Sequence, residues 1–222
     1  MNGLVIFGSS NILSDLFDCA MAKHLPIAHV VTHLPEGTEP RSLPLAARLA
    51  ALAEHGCRPT VIALDDFVPA LGQFYLLGPT TPERRALADE LARRFALRYT
   101  TLVHPSAYVS PLAALGEGVY IGANSIVAPG ARLHEHVFVN RAVTIGHDTE
   151  IGAFSRIQPG SNLGGLSRIG AGVTVGIGAT LIERLVVGDG AFIGAGAVVI
   201  GDVPARVLMV GVPAAIKRHL DA

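Results

Sequence analysis

Four histidines, His104, His134, His136 and His147, fall between Val103 and Pro204 of this 222-residue chain, and His147 is followed directly by an acid, Asp148. Histidine is the side chain best placed to take a proton near neutral pH, with an unperturbed pKa of about 6.5, and a nearby carboxylate can fix its tautomer. Taken by itself, a histidine in such a place is more often a solvated surface residue. His104, beside Pro105, reads as a capping or junction residue; His134 and His136, two apart, would share one face of a strand as ordinary surface histidines. A second chemical feature lies near the start, where the apolar strand Leu4-Val5-Ile6-Phe7 enters the turn Gly8-Ser9-Ser10-Asn11. A strand, a glycine turn and a helix start leave free N–H groups and a favourable dipole for an anion such as phosphate, although most such turns bind nothing.

The elements that must hold these residues are set by a six-residue frame running without a slip from Val103 to Pro204. Its first position is Val103, Val109, Leu115, Ile121, Val127, Leu133, Val139, Ile145, Ile151, Ile157, Leu163, Ile169, Val175, Leu181, Val187, Ile193 and Val199, a branched aliphatic in all seventeen hexads. Position two is Gly in nine of them, and position five is Ala, Ser, Thr or Val everywhere except Leu185. No helix has a period of six, whereas short strands joined by sharp corners do, so the frame predicts a parallel β-solenoid with positions one and five pointing inward. Gly at position two suits the corner, because a turn between flat faces asks for backbone angles that a Cβ resists. His147 is a third position, where a side chain leaves the corner for solvent or a neighbouring subunit.

Before the repeat, strands alternate with helices. Ser14 is placed to cap a helix through Leu16, Phe17 and Met21 to His24; Ile27 to Thr32 reads as a strand; Ser42 starts and Gly56 ends a helix with Leu45, Leu49 and Leu52 on one face. Thr60 to Leu64 and Phe74 to Leu77 follow as strands, and Thr81-Pro82 opens a helix with Leu87, Leu91 and Phe95 inward and Arg84, Arg85, Arg93 and Arg94 outward. The expected domains are therefore a small Rossmann-like parallel α/β domain over 1–100, a β-helix over 101–206 and a short helical cap over 207–222.

Composition excludes several classes. A net charge of -1 and a pI near 6.7 offer no basic footprint for nucleic acid. Mean hydropathy is +0.46, yet no apolar run has the length of a membrane span and no basic leader precedes Leu4, which reads as cytoplasmic, with no membrane insertion. Cys19 and Cys57 both precede the repeat and read as buried reduced thiols, with no metal; neither is available to the repeat as an acyl-carrying nucleophile.

The repeat resembles that of the hexapeptide-repeat acyltransferases, whose coils wind left-handed with three hexads each. The whole chain is similar to their sialic acid O-acetyltransferase type, in Leu77-Gly78 with Arg84 or Arg85, His104-Pro105-Ser106-Ala107, His147-Asp148, Gly194-Ala195-Gly196-Ala197-Val198-Val199 and Gly211-Val212-Pro213-Ala214. The resemblance implies an acetyl-CoA-dependent O- or N-acetyltransferase of an amino-sugar or sialic acid derivative, nucleotide-activated, in bacterial surface glycan synthesis, working as a homotrimer by direct attack in a ternary complex. By that resemblance His147 is the general base, Asp148 its orienting acid and Gly165, one coil on, the oxyanion donor. Arg156, Gly165, Gly176, Gly194, Ala195 and Lys217, with Arg218, would meet coenzyme A, and Gly8, Ser9, Ser10 and Asn11 the acceptor.

The chain departs from that family's pattern at Ser10, Asn11 and Ile12, where a further glycine and a histidine are usual, at Thr32 and His33, where acids are usual, and at Arg156 and Ala215, where relatives carry a histidine and a lysine. Two other readings compete: a non-catalytic solenoid scaffold, and a metal-dependent enzyme of the carbonic anhydrase type, for which His134, His136 and His147 lack the usual spacing.

Overall fold

The amino-terminal apolar run forms β1 (Gly3–Phe7), buried along its whole length. The computed structural model describes residues 3–35, 42–81 and 83–221, and the chain divides into two units, Met1–Thr100 and Thr101–Ala222. In the first, α1 (Leu13–Ala22), β2 (Ile27–Thr32), α2 (Leu45–Glu54), β3 (Thr60–Ala63), β4 (Gln73–Leu77) and α3 (Glu83–Arg94) follow β1. The strands pair in parallel in the order β3-β2-β1-β4, so β1 is covered on both edges.

Three local expectations change. Ser14 does not cap α1; it lies inside the helix, while the hydroxyl of Ser10 accepts the N–H of Ile12. Helix α2 begins at Leu45, after Pro44, because the proline disfavours helical angles at the residue before it. Arg84 is turned inside, 3% exposed, because it shares the helical stripe of Leu87, Ala88 and Leu91. The expected start of α3 at Pro82 lies outside the described residues. Cys19 is buried and its thiol is pushed up to about 12 by burial, whereas Cys57 is only half-buried.

In the second unit each aliphatic of the frame is the last residue of a two-residue strand, from β5 (Leu102–Val103) to β21 (Val198–Val199). Strands eighteen residues apart pair in parallel, as Arg132↔Glu150 and Leu133↔Ile151 do. Three faces result. Strands ending at Val103, Ile121, Val139, Ile157, Val175 and Ile193 make the first; those ending at Val109, Val127, Ile145, Leu163, Leu181 and Val199 the second; those ending at Leu115, Leu133, Ile151, Ile169 and Val187 the third. The inward aliphatics and the small fifth-position residues form one continuous core. Each buried aliphatic contributes about 1.5–3 kcal/mol relative to exposure. The fifth-position hydroxyls have a further use: Ser125, Ser155 and Ser161 donate to the carbonyls of Asn140, Gly170 and Gly176 in the next coil, at 2.7–2.8 Å.

The glycine expectation needs correcting. From Gly118 to Gly196 the left-handed residue of every hexad is position four, with φ between +54° and +74°, and it includes His136, Ala142, Asp148, Phe154, Leu166 and Arg184. None of the nine second-position glycines has positive φ; they are required by proximity. A Cβ on Gly146, Gly164 or Gly188 would sit 2.4, 2.3 or 2.4 Å from the backbone nitrogen of Gly165, Glu183 or Ala205 in the coil above. The demand is local, since His134, Asn140, Gln158 and Ile182 occupy the same position in other hexads.

The cap is also different. Residues 207–219 form not a helix but a hairpin, β22 (Val207–Gly211) and β23 (Ala214–His219). Its first strand adds to the first face in parallel, through Phe192↔Leu208, and the second returns antiparallel. The pattern is two-fold, with Val207 and Met209 buried, and Gly211 turns at φ +100°. Lys217 and Arg218 lie on the exposed edge strand, where charges discourage further pairing.

These two kinds of glycine are separable by experiment. Gly188→Ala forces a methyl into backbone and is expected to cost about 3 kcal/mol or more, whereas Gly172→Ala, at φ +66° with open space around it, should cost about 1 kcal/mol. Urea unfolding of the two variants measures the difference; equal losses would show that coil spacing does not set the requirement at Gly188.

Candidate active site

His147 stands on the corner that leads from the second face to the third, between Gly146 and Asp148. Strict alternation would turn Asp148 away from it, but Asp148 is the left-handed residue of this corner, at φ +54°. The reversal brings its Oδ2 to 2.8 Å from His147 Nδ1. A carboxylate there keeps the proton on Nδ1 and leaves the Nε2 lone pair free. Nε2 takes part in no hydrogen bond among the described residues, and the imidazole is 61% exposed. The imidazole thus has its tautomer set by Asp148 and its Nε2 open to solvent.

One coil on, Gly165 lies against the ring: a Cβ there would be 2.8 Å from His147 Nε2 and 2.9 Å from Cδ2. The N–H of Gly165 enters no hydrogen bond among the described residues, while Leu166 N–H donates to His147 O at 2.8 Å. A free donor beside the base is what an oxyanion requires. Asp148 also lines an open cavity of about 300 Å3 with Arg132, Glu150 and Arg168 on the third face.

The other expected donor-site residues lie elsewhere. Gly176, Gly194 and Ala195 are on the corner between the first and second faces, Arg156 is on the first face with its Nε donating to Thr174 Oγ1 at 2.8 Å, and Lys217 is on the cap hairpin. His147 and Gly165 thus occupy one edge of the second face, and Gly176, Gly194 and Ala195 the other. Asn140 and Gln158 stand on that second edge too, side by side in successive coils, with Asn140 only 5% exposed.

The remaining histidines are otherwise engaged. His134 Nε2 meets Glu150 Oε1 at 2.8 Å, and that hydrogen bond holds the Glu150 carboxyl below its usual range. His136 is buried at a left-handed position and stacks on Phe154, with ring centroids 4.9 Å apart, so it shares no strand face with His134. His104 Nδ1 contacts the Ser106 hydroxyl at 2.8 Å. Among the described residues no three His, Cys, Asp or Glu side chains gather to hold a metal ion.

In the α/β unit the turn Gly8–Asn11 sits at the carboxyl end of β1, where open α/β sheets bind ligands. A Cβ on Gly8, at φ +83°, would meet Pro79 at 2.8 Å and His33 at 2.9 Å, and a Cβ on Gly78 would lie 2.1 Å from Gly8 O. Burial pushes the His33 imidazole below its usual range, so it is neutral at pH 7. Ser10 Oγ donates to Gly78 O at 2.9 Å, tying the two adjacent turns together. Sequence reading missed Arg48: it is 8% exposed, and its guanidinium donates to Asn11 O, Asn11 Oδ1, Ser14 Oγ and Leu43 O. Its signal was an arginine one residue before Leu49 on the apolar side of α2.

The two-part architecture, a parallel α/β unit followed by a β-helix, is similar to that of solved acetyltransferases. The acetyltransferase domain of PglB from Neisseria gonorrhoeae FA1090 is 28% identical with a TM-score of 0.79, over 96% of this chain and 98% of that one, and has also been solved in complex with acetyl coenzyme A. A variant of GDP-perosamine N-acetyltransferase from Caulobacter crescentus with one histidine replaced, in complex with CoA and GDP-perosamine, is 26% identical with a TM-score of 0.82, over 98% of each chain. Probable serine acetyltransferase 1 of Oryza sativa subsp. japonica is 32% identical over 208 residues, 92% of this chain but 60% of that protein; two other curated acetyltransferases match over only 21% and 19% of their own lengths. No family model matches. The chain is thus similar, over nearly its whole length, to the acetyltransferase domain of PglB and to GDP-perosamine N-acetyltransferase, and it spans about three fifths or less of the curated relatives it matches. Among the described residues no helix is long and apolar enough to cross a membrane.

Removing the carboxylate tests the pair without reference to turnover. Asp148→Ala should release the Nδ1 proton of His147, so the imidazole nitrogen shifts in 15N NMR move toward a mixture of tautomers. An unchanged spectrum would show that Asp148 does not set the tautomer.

Proposed function

We propose that this chain transfers the acetyl group of acetyl-CoA to the amino group of a nucleotide-activated amino sugar, in the cytoplasm, for surface glycan synthesis. The observation that carries the reading is the His147–Asp148 pair with its free Nε2 facing Gly165. The likeness to a PglB domain solved with acetyl coenzyme A and to an N-acetyltransferase solved with CoA and GDP-perosamine supports the choice of donor and acceptor.

In this reading the acceptor nitrogen attacks the thioester carbonyl carbon while His147 Nε2 takes its proton. The carbon–sulfur bond then breaks, and the same proton passes to the departing thiolate. Asp148 holds the imidazole and stabilises the transient imidazolium; the Gly165 N–H meets the oxyanion. No covalent acyl-enzyme is needed, and Cys19, whose burial keeps it a thiol, is not a nucleophile. The α/β unit binds the nucleotide at Gly8, Ser9, Ser10 and Asn11. Coenzyme A lies along Gly176, Gly194 and Ala195, with Arg156 and Lys217 toward it.

The placement of these groups supports a homotrimer. The base and its glycine are on one edge of the second face and the coenzyme-binding glycines on the other, so within one chain they do not meet. A closed ring of three copies brings one edge against the next copy's opposite edge. Exposed Tyr108 and Ile126 on the second face suit such packing.

His147→Ala should lower turnover by about two to four orders of magnitude with the fold intact; a loss under about tenfold would remove His147 from the mechanism. A mass-spectrometric screen of nucleotide amino sugars and free sialic acids with acetyl-CoA tests the acceptor, and a product acetylated on oxygen would correct the amino-group assignment. Light scattering should report three chains per particle; a monomer at micromolar concentration would overturn the shared site.

A further inference from the structure

The turn that receives the acceptor presents donors to solvent, and the cause is a buried cation beneath it. Ser10 O accepts the N–H of Leu13 at 3.1 Å, Asn11 O accepts Arg48 Nη1 at 3.1 Å, and Asn11 Oδ1 accepts both Arg48 Nη2 and Ser42 Oγ at 3.2 Å. A guanidinium can only donate, so the amide oxygen of Asn11 must face it and the Nδ2 group must face away. The N–H groups of Ser9, Ser10 and Asn11 and the Nδ2 of Asn11 enter no hydrogen bond among the described residues, and Asn11 is exposed. Arg48 itself is 8% exposed, and its partners are carbonyls, an amide and a hydroxyl, with no carboxylate among the described residues. A buried charge is costly unless something of opposite sign approaches it.

We propose that Arg48 is the positioning residue of the acceptor site: it fixes Asn11 as an outward donor and supplies the positive charge behind Ser9, Ser10 and Asn11, against which a phosphoryl oxygen of the acceptor binds. The proposal rests on the acceptor being nucleotide-activated. It makes recognition depend on the phosphate rather than on the base or the sugar, and it assigns the missing negative charge to the substrate.

Asn11→Asp separates this role from a purely structural one. The aspartate keeps an oxygen on Arg48 as an ion pair, so the fold should be as stable or more so, yet its second oxygen replaces the donor with a negative charge. Calorimetric titration of the full chain with UDP, GDP, dTDP and the corresponding nucleosides should show wild-type binding of at least one diphosphate, about tenfold or more tighter than its nucleoside. Asn11→Asp and Arg48→Gln should each weaken that binding about tenfold or more. Acceptor KM should rise in step, while kcat changes less than about threefold. Thermal melting and coenzyme A binding serve as fold controls, and Asn11→Asp carries the test if Arg48→Gln does not fold. A folded Asn11→Asp chain that binds the diphosphate as tightly as wild type overturns the inference and leaves acetyl transfer untouched. A wild-type chain that acetylates a free sugar and binds no nucleoside diphosphate overturns the nucleotide-activated acceptor, and the inference with it.

Discussion

Successive coils of the β-helix approach so closely that a methyl group on seven of the nine second-position glycines, all but Gly170 and Gly194, would first meet backbone rather than side chain. That spacing governs the rest. It stacks each aliphatic of the frame directly on the one eighteen residues before it, and it lets a fifth-position serine reach the carbonyl of the next coil. It also brings Gly165 onto the ring of His147. A looser stack would keep its core aliphatic and still lose these contacts, because dispersion, hydrogen bonds and van der Waals contact all fade within about an ångström.

The corner, in turn, makes the site. Each turn between faces needs one left-handed residue, and in this hexad that residue is Asp148. An aspartate accepts the conformation more readily than most residues with a Cβ, and the reversal it imposes is what points its carboxylate back at its neighbour. The same geometry operates at His136, Phe154 and Leu166, with no chemical result. The pair is thus an ordinary structural position occupied by a residue able to use it, next to a third position from which a side chain leaves the wall.

Much of this was legible in the residue order. Period six with unbroken aliphatics dictates the tube, because only inward side chains are constrained by a narrow core. The α/β unit was legible from its alternation of apolar runs and turn residues. Less visible were features set by approach between distant segments. Nothing local shows that position four, rather than two, carries the left-handed angle, since the structure over-determines it and tolerates Phe154 or Arg184 there. Arg84 looked like one of four surface arginines; the phase of α3 puts it on the buried stripe. The cap reads as helix only if its basic residues are weighed above the two-fold alternation of Val207 and Met209. Arg48 shows in the residue order only as a cation beside Leu49 on α2; its partnership with Asn11 and Ser14 does not, because those residues lie thirty-four to thirty-seven positions away in α1 and the turn before it.

The two units divide their chemistry by sign. In the α/β unit the turn proposed to hold the acceptor presents hydrogen-bond donors backed by a buried cation, which suits an anionic ligand and does nothing to move a proton. On the β-helix the His147 corner pairs a base with a carboxylate and a single free N–H, which suits proton transfer and a transient oxyanion. Charge far from the reacting atoms can be bound equally in ground and transition states, and it then contributes affinity and position; charge that develops at the carbonyl contributes to rate. In the proposed reading, a binding turn built on α1 and α2 and a catalytic corner built on repeated coils can therefore vary independently. On that proposed reading, the substitutions at Ser10, Asn11 and His33 bear on which acceptor is held, while the spacing of the coils keeps His147, Asp148 and Gly165 where they are.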